Sequence, residues 1–265
     1  MRFTAACIGA AACLAAVALV GCGSHDAKHA GASDPASASA SASASRTAAT
    51  VDLSAEQILQ RARAAGAGAS SYTMSFNYGS DPLDPDPTHL SGRLSWDRSG
   101  HCVGHVAIAG KGSAELIVSD GTTWLKPDPR FAQAEFGPAA AALLAGKYLK
   151  GPVGDPHFDD LSASASADNP HGDLCQMGVY LQSIPDEGDE GATKRGTTII
   201  GGVHTVEVMP VGKGASSLFI ATDGTARLIR AGDQPGVCFT DYDKPVAVHL
   251  PAANQTVDVS RLPRR

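Results

Sequence analysis

The sequence predicts an α+β fold in which one antiparallel sheet of about eleven strands carries its helices on one side. Two observations support this fold class. Short apolar or alternating segments recur about every ten residues, and turn-forming residues separate them, as in successive hairpins. Helical periodicity is confined to one segment before the strands and to one insert among them, from Phe131 to Ile184. A parallel α/β fold would instead alternate helices with strands along the whole chain.

An apolar segment opens the chain. Arg2 precedes an uncharged run from Phe3 to Val20, which has the length of a signal-peptide core. This run ends in Leu19-Val20-Gly21-Cys22, which has the form of a lipobox. We therefore expect residues 1–21 to be a lipoprotein signal peptide and Cys22 to be the acylated first residue of the mature protein. The alternative is a single transmembrane anchor, but the run is rich in weakly hydrophobic Ala and no cluster of Lys or Arg follows it.

The segment after the lipobox is low in complexity. Residues 22–50 contain almost no side chain large enough to pack, and they include the alternating Ser-Ala run 37–45. Such a segment buries too little apolar surface to offset the entropy of ordering it. We expect a disordered tether that links the acylated cysteine to one folded domain, residues 51–265. The expected location is the outer face of the cytoplasmic membrane, and we expect the protein to be a monomer.

The folded domain opens with a helix and a strand. Ser54 and Gln57 form a capping box ahead of an apolar helical pattern that runs from Ile58 to Ala65. Tyr72 to Tyr78 alternates and has one aromatic-rich face, which is typical of a strand with one solvated side. Three Asp-Pro pairs within 81–87 then predict a loop.

Further strands are predicted on both sides of the insert. They are Leu90 to Trp96, Val103 to Ala109, Ala114 to Val118, Thr122 to Lys126, Thr197 to Ile200, Val203 to Met209, Ser217 to Ala221, Ala226 to Ile229, Val237 to Tyr242 and Val246 to Leu250. Within the insert, Pro138 to Ala145 and Leu174 to Ile184 predict helices, whereas Asp155 to Pro170 fits either a weak helix or a loop.

Three cysteines remain in the expected folded domain, and an oxidising compartment favours one disulfide among them. If the strands lie side by side in chain order, Cys102 and Cys238 are about seven strand spacings apart. A disulfide needs Cα atoms within about 7 Å. Cys175 lies in the insert, which can fold back over the sheet, so we predict a bond between Cys102 and Cys175. Three separate thiols are the alternative.

Composition and spacing argue against several functions. The net charge is −6 and Lys and Arg form no run, which disfavours binding to nucleic acid. The chain has no Gly-x-Ser-x-Gly motif for a hydrolase nucleophile. His101, Cys102 and His105 are close in sequence, but neighbouring strand residues point to opposite faces. Asp241, Asp243 and Lys244 include an acid and a base, yet a strand that ends in a solvated turn explains them more simply. We expect no enzyme, no metal and no cofactor.

The order of these elements and several short motifs resemble a known family. The motifs are Gly112 to Leu116, Asp120 to Lys126, Gly146-Lys147-Tyr148, Asp223-Gly224 and Asp241 to Val246. Together with the lipobox and tether, they resemble the LppX- and LprG-type actinobacterial lipoproteins of the LolA-like superfamily, over about residues 52 to 256. The resemblance implies a strongly curved half-barrel sheet whose concave face, covered by helices, holds the acyl chains of lipids or lipoproteins. The low aromatic content of 5% and the long Ser-Ala insert depart from that family.

The expected function is therefore a membrane-anchored, non-catalytic lipid-binding or lipid-carrier lipoprotein with a lipid or acylated ligand. The candidate cavity residues share one face of the first two strands: Tyr72, Met74, Phe76, Leu94 and Trp96. That face is either the concave or the convex one, and the insert either leaves a cavity or fills it as an ordinary core. The alternative function is a module that binds or senses another envelope protein.

Replacing Cys22 with Ala tests the lipid anchor. We expect the variant to lose its acyl chains and to leave the membrane fraction, because the thiol is the only group at the lipobox that can carry diacylglycerol. Fractionation and the mass of the N-terminal peptide measure both effects. An unchanged membrane fraction, with no lipid mass on the wild-type peptide, would contradict the prediction.

Overall fold

The computed structural model describes residues 52–77, 90–158, 175, 191–212, 215–232 and 236–262. The expected signal peptide, the tether and the Asp-Pro loop lie outside these residues. The helix expected from Leu174 to Ile184 also lies outside them, except for Cys175. These expectations remain predictions.

Twelve strands form one sheet in the order β12-β6-β5-β4-β3-β2-β1-β11-β10-β9-β8-β7. The strands are β1 Ser71–Asn77, β2 Leu90–Asp97, β3 Cys102–Ile108, β4 Gly112–Ser119, β5 Thr122–Pro127, β6 Tyr148–Pro152, β7 Thr193–Ile200, β8 Val203–Met209, β9 Leu218–Ala221, β10 Leu228–Ala231, β11 Val237–Thr240 and β12 Thr256–Asp258. Neighbouring strands are antiparallel, except that β12 runs parallel to β6. The α+β class with a large, mostly antiparallel sheet agrees with the sequence prediction.

The sheet consists of two meanders that meet at β1. Strands β1 to β6 follow one another as neighbours, and β7 to β11 do the same on the other side. Antiparallel pairing of β1 with β11 joins the two meanders, with Met74 opposite Phe239 and Ser75 opposite Cys238. Two segments that are far apart in the chain, β1 and β11, therefore lie side by side near the centre of the sheet.

Two described helices pack on the sheet. Helix α1, Ala55–Gly68, begins at the capping box predicted from Ser54 and Gln57, and it packs against β8. Helix α2, Pro129–Leu144, packs against β4 and β5 and has non-helical φ and ψ at Gly137, directly before Pro138. Short 3₁₀ turns lie at Pro156–Phe158, Ala253–Gln255 and Val259–Arg261.

Asp128 fixes the start of α2 to the sheet. One of its carboxylate oxygens accepts the backbone N–H of Phe131 at 2.7 Å, which caps the helix. The other oxygen accepts both the backbone N–H and the hydroxyl of Ser113 on β4, at 2.7 and 2.8 Å. Because one side chain holds both elements, the direction in which α2 leaves the sheet is set at its first turn.

One face of the sheet, here called the inner face, carries the core. On β1 it bears Tyr72, Met74 and Phe76, whereas Thr73 and Ser75 point to the opposite, outer face. The inner-face residues join the buried side chains of both helices, such as Leu59 and Phe131, in one apolar cluster. Every described strand except β7 contributes to this cluster.

The strand prediction was wrong at three places. Val246 to Leu250 is not a strand, because Asp241 and Asp243 take positive φ values and turn the chain away from the sheet after β11. Strands β6 and β12 were not predicted. Strand β6 contains Lys-Gly-Pro and β12 has only three residues, so neither shows a clear apolar alternation. Helix α2 also begins earlier than the expected Pro138.

The structure contains the predicted disulfide between Cys102 and Cys175, with a Cα–Cα distance of 5.6 Å. The premise used to exclude Cys238 was nevertheless wrong, because the strands do not lie in chain order. Cys238 is on β11, and only β2 and β1 separate that strand from β3. The two cysteines also differ in the face of the sheet that they occupy, because Cys102 belongs to the inner-face cluster and Cys238 does not.

Replacing Gly104 with Ala tests how closely β2 and β3 approach. A Cβ at this position would overlap the carbonyl oxygen of Arg93 on the neighbouring strand. We expect a loss of about 1–3 kcal/mol in the free energy of unfolding, because backbone atoms must move to admit the methyl group. Gly196→Ala on β7 is the matched control, since a Cβ there meets nothing within 4 Å. Urea unfolding, monitored by circular dichroism, compares the two variants. Equal unfolding midpoints would contradict the close approach of β2 and β3.

Candidate functional site

The five residues predicted to line a cavity lie together on the inner face of β1 and β2. Antiparallel register places Tyr72 opposite Trp96 and Met74 opposite Leu94. Tyr72 and Leu94 are each 2% exposed, and Trp96 is partly buried against the same cluster. Alternation along two paired strands thus brings these side chains together as the sequence predicted. Whether they contact a ligand remains a prediction.

Gly92 makes room for Phe76, another of the five candidate residues. It lies opposite Phe76 in the β1–β2 register, and a Cβ at Gly92 would come within 2.7 Å of the Phe76 Cζ atom. The ring therefore occupies the space that a side chain on β2 would take. Sequence reasoning missed this role of Gly92, although a glycine inside a strand often marks a close approach.

Aromatic rings from both meanders meet on the inner face. The ring centroid of Tyr72 lies 5.6 Å from that of Trp96, 5.9 Å from that of Phe239 and 6.0 Å from that of Tyr242. These distances fit the favourable range for aromatic pairs. Burial raises the pKa of the Tyr72 and Tyr242 hydroxyls far above the usual value, so both remain neutral at physiological pH. The centre of the inner face is therefore largely apolar and uncharged.

The disulfide places Cys175 over this region. Cys102 lies opposite Trp96 in the β2–β3 register, and both belong to or pack against the inner-face cluster. Cys175 is bonded to Cys102 and is itself buried. Since α1 packs on β8 and α2 on β4 and β5, Cys175 is a third point at which the chain covers the inner face.

The outer face carries a row of polar residues across β2 to β6. Register aligns Arg93, His105, Glu115 and Lys126 along β2 to β5, and the Lys126 ammonium lies 5.4 Å from the ring centroid of Tyr148 on β6. The Glu115 carboxylate accepts the hydroxyl of Tyr148 at 2.7 Å and the ammonium of Lys126 at 3.1 Å. The bond from Tyr148 lowers the pKa of Glu115, and burial together with Glu115 raises the pKa of Tyr148 to about 12. These contacts are typical of a solvated sheet face.

The turn after β11 contains the candidate acids Asp241 and Asp243 and the candidate base Lys244. The two carboxylate oxygens of Asp241 accept the guanidinium of Arg93 at 2.8 Å and the ammonium of Lys244 at 2.6 Å. Asp243 accepts the backbone N–H of Ser70 at 2.8 Å and pairs with Arg227. The bond from Lys244 lowers the pKa of Asp241, which therefore stays ionised at neutral pH. This geometry agrees with a turn held by ion pairs.

The histidines near Cys102 do not converge. His101 bonds through Nδ1 to Asp97 at 2.9 Å, and Cys102 is in the disulfide. His105 lies in the row on the outer face, whereas Cys102 faces the core. Across the parts of the chain that the structure describes, no group of three or more His, Cys, Asp or Glu side chains is arranged to hold a metal ion. Within the same ranges, no helix is long and apolar enough to span a membrane.

Replacing Tyr242 with Phe tests the attachment of the turn to the core. The Tyr242 hydroxyl donates to the carbonyl oxygen of buried Leu228 at 2.6 Å. We expect the variant to lose about 1 kcal/mol of unfolding free energy, because that bond is lost inside the core. Tyr148→Phe removes a hydroxyl from the exposed outer face and should lose less than about 0.5 kcal/mol. Thermal or urea unfolding separates the two, and an equal loss would count against the buried bond.

No family model matches this chain, and no curated protein matches it in sequence. Among solved structures, the fold is similar to LprF from Mycobacterium bovis, with a TM-score of 0.45 and 20% sequence identity, over 75% of this chain and 97% of that one. It is also similar to the lipoprotein LppX from Mycobacterium tuberculosis, with a TM-score of 0.42 and 15% identity, over 74% of this chain and 98% of that one. Both similarities are in structure and at low sequence identity, and LppX is a lipoprotein of the type that the sequence resembles.

Proposed function

We propose that this chain is a non-catalytic lipoprotein that binds a lipid or acyl chain against the inner face of its sheet. The expected anchor is Cys22, at the outer face of the cytoplasmic membrane. The observation that carries the proposal is the extent of the inner face. Its single apolar cluster receives side chains from every described strand except β7 and from both described helices.

The centre of the inner face lies between the two helices. Helix α1 packs at β8 and helix α2 at β4 and β5, while Tyr72, Leu94 and Trp96 lie on the strands between them. We place the acyl chain over these strands. Burial of each methylene contributes roughly 0.8 kcal/mol, so a ligand of about ten methylenes needs no polar motif for recognition.

The affinity depends on what the ligand replaces. Tyr72, Met74, Phe76 and Leu94 are covered in the structure, with exposed fractions of 2% to 4%. An acyl chain that reaches them must displace the groups that now cover them. Binding then replaces contacts that these side chains already make, so the net gain is smaller than the methylene count alone implies. This favours a carrier that releases its ligand over one that holds it permanently.

We further propose that the sheet is strongly curved, as in a half-barrel, with the inner face concave. Large twisted sheets tend to curl, and a glycine within a strand is common where a barrel bends sharply. Gly92 and Gly104 occupy inner-face positions on β2 and β3. A Cβ at either position would overlap atoms of a neighbouring strand. The close approach at both glycines supports a bend at this part of the sheet.

The two tryptophans of the chain provide a test with a built-in control. Trp96 packs against the inner-face cluster, whereas Trp124 lies outside it and has Lys150 over its ring at 5.9 Å. The Trp124→Phe variant keeps Trp96 as its single tryptophan, and the Trp96→Phe variant keeps Trp124. A spin-labelled fatty acid, with its nitroxide near the end of the chain, should quench Trp96 in the first variant because the label lies in contact with it. Trp124 in the second variant should be quenched much less.

Mass spectrometry of protein purified from its own host supplies the second measurement. Native spectra should show a lipid adduct that denaturing spectra lack. If no lipid co-purifies and neither tryptophan is quenched, the carrier function is wrong and an envelope protein-interaction module becomes the better hypothesis. If Trp124 is quenched and Trp96 is not, the acyl chain binds elsewhere.

A further inference from the structure

A small cleft lies on the outer face, behind the strands that carry the proposed acyl site. Its volume is about 210 Å³, and it lies between β1, β2 and the turn that follows β11. The polar lining residues are Thr73, Arg93, Ser95, Asp241 and Lys244, and Pro245 forms part of a wall. Tyr72 and Val246 complete the lining, so Tyr72 contributes both to this cleft and to the inner-face cluster, whereas Leu94 belongs to the inner-face cluster alone.

The turn that forms one wall is held at several points. The hydroxyl of Ser71 donates to the carbonyl oxygen of Lys244 at 2.5 Å, and Asp243 accepts both the N–H and the hydroxyl of Ser70. Tyr242, between the two aspartates, is anchored in the core. Asp241 and Asp243 both have positive φ, 54° and 59°, which Asp tolerates better than most residues. The wall is therefore preformed before any ligand arrives.

Two cations converge in the cleft on one carboxylate. Arg93 and Lys244 each bind a different oxygen of Asp241, at 2.8 and 2.6 Å. Two positive groups and one negative group leave this cluster with a net charge of +1, in a chain whose net charge is −6. Their side chains are partly exposed, at 49% for Arg93 and 69% for Lys244, so both can reach an incoming group. The spacing that suits two carboxylate oxygens also suits two oxygens of a phosphate.

The neutral side of the cleft adds a donor. The hydroxyls of Thr73 and Ser95 lie 2.8 Å apart and share one hydrogen bond, in which either atom donates. Two hydroxyls have two hydrogens, and this bond uses one of them. The remaining hydroxyl hydrogen can therefore point to a ligand. A tetrahedral oxyanion has enough acceptor oxygens for both cations and for this hydroxyl.

We propose that this cleft binds a phosphate group, with Arg93 and Lys244 as its cationic contacts and Thr73 or Ser95 as a neutral donor. The Asp241 carboxylate binds both cations and therefore competes with the phosphate for them. The phosphate belongs either to a phospholipid headgroup or to a free phosphate ester. This site shares Tyr72 with the proposed acyl site, but its phosphate contacts are other residues, so neither proposal depends on the other.

Opposite effects of two substitutions test the site. Arg93→Gln removes a cationic contact and should weaken phosphate binding at least about tenfold, since a charge-assisted contact is lost. Asp241→Asn removes the competing charge, keeps a residue that tolerates positive φ, and should strengthen binding by a factor on the order of ten. Lys126→Gln and Glu115→Gln make the same changes of charge elsewhere on the outer face and should leave binding near the wild-type value.

The full-length protein is titrated with each probe in a neutral detergent. Phosphorus NMR and calorimetry measure the binding. The probes are inorganic phosphate, glycerol 3-phosphate and dihexanoyl phosphatidylglycerol. Saturable binding of all three, with the two opposite effects, supports a general phosphate site. Binding of only the phosphatidylglycerol, with the same effects, supports a phospholipid headgroup site. The proposal is overturned if no probe binds saturably, or if Asp241→Asn fails to strengthen binding in a variant whose circular dichroism spectrum is native.

Discussion

The pairing of β1 with β11 is the interaction on which the rest of the structure depends. It joins residues 71–77 to residues 237–240 and makes one sheet out of two meanders. Without it, each meander would expose an additional strand edge, and the apolar cluster would be divided between two smaller sheets. The same pairing sets Phe239 against the ring of Tyr72 on the inner face and brings the turn after β11 to Arg93 on the outer face. Both proposed sites therefore lie at this junction.

The sequence predicted local features of the fold better than their arrangement. Alternating segments between turn residues identified most strands, and Ser54 with Gln57 identified the start of α1. The pairing of β1 with β11 has no local signal, because its partners are far apart in the chain and an isolated strand does not specify its neighbour. Strand β12 forms only by lying parallel to β6. The predicted Cys102–Cys175 bond was right, although the strand order assumed for Cys238 was not.

The candidate site residues show the same contrast between local features, which the sequence predicts, and long-range contacts, which it does not. Alternation predicted that Tyr72, Met74 and Phe76 share one face, and the antiparallel register of β1 and β2 in the structure sets Leu94 and Trp96 beside them. Arg93 was not identified as a site residue, because its partner Asp241 is distant in sequence and becomes adjacent only when the meanders pair. Asp241, Asp243 and Lys244 were interpreted as a solvated turn, and their ion pairs agree with that interpretation. The cleft that they form with β1 and β2 depends on tertiary structure.

Strand register couples the two faces. In β2, Arg93 lines the outer cleft and the next residue, Leu94, packs in the core. On β1, Thr73 lines the cleft, and Tyr72 belongs to the core cluster while also contributing to the cleft lining. A shift of one residue in either strand would turn Arg93 or Thr73 toward the apolar core and turn an apolar side chain away from it. The bonds of Asp243 to Ser70 oppose such a shift, because they fix the first residues of β1 relative to the turn after β11. The ion-paired turn therefore stabilises the register of the apolar face as well as the geometry of the cleft.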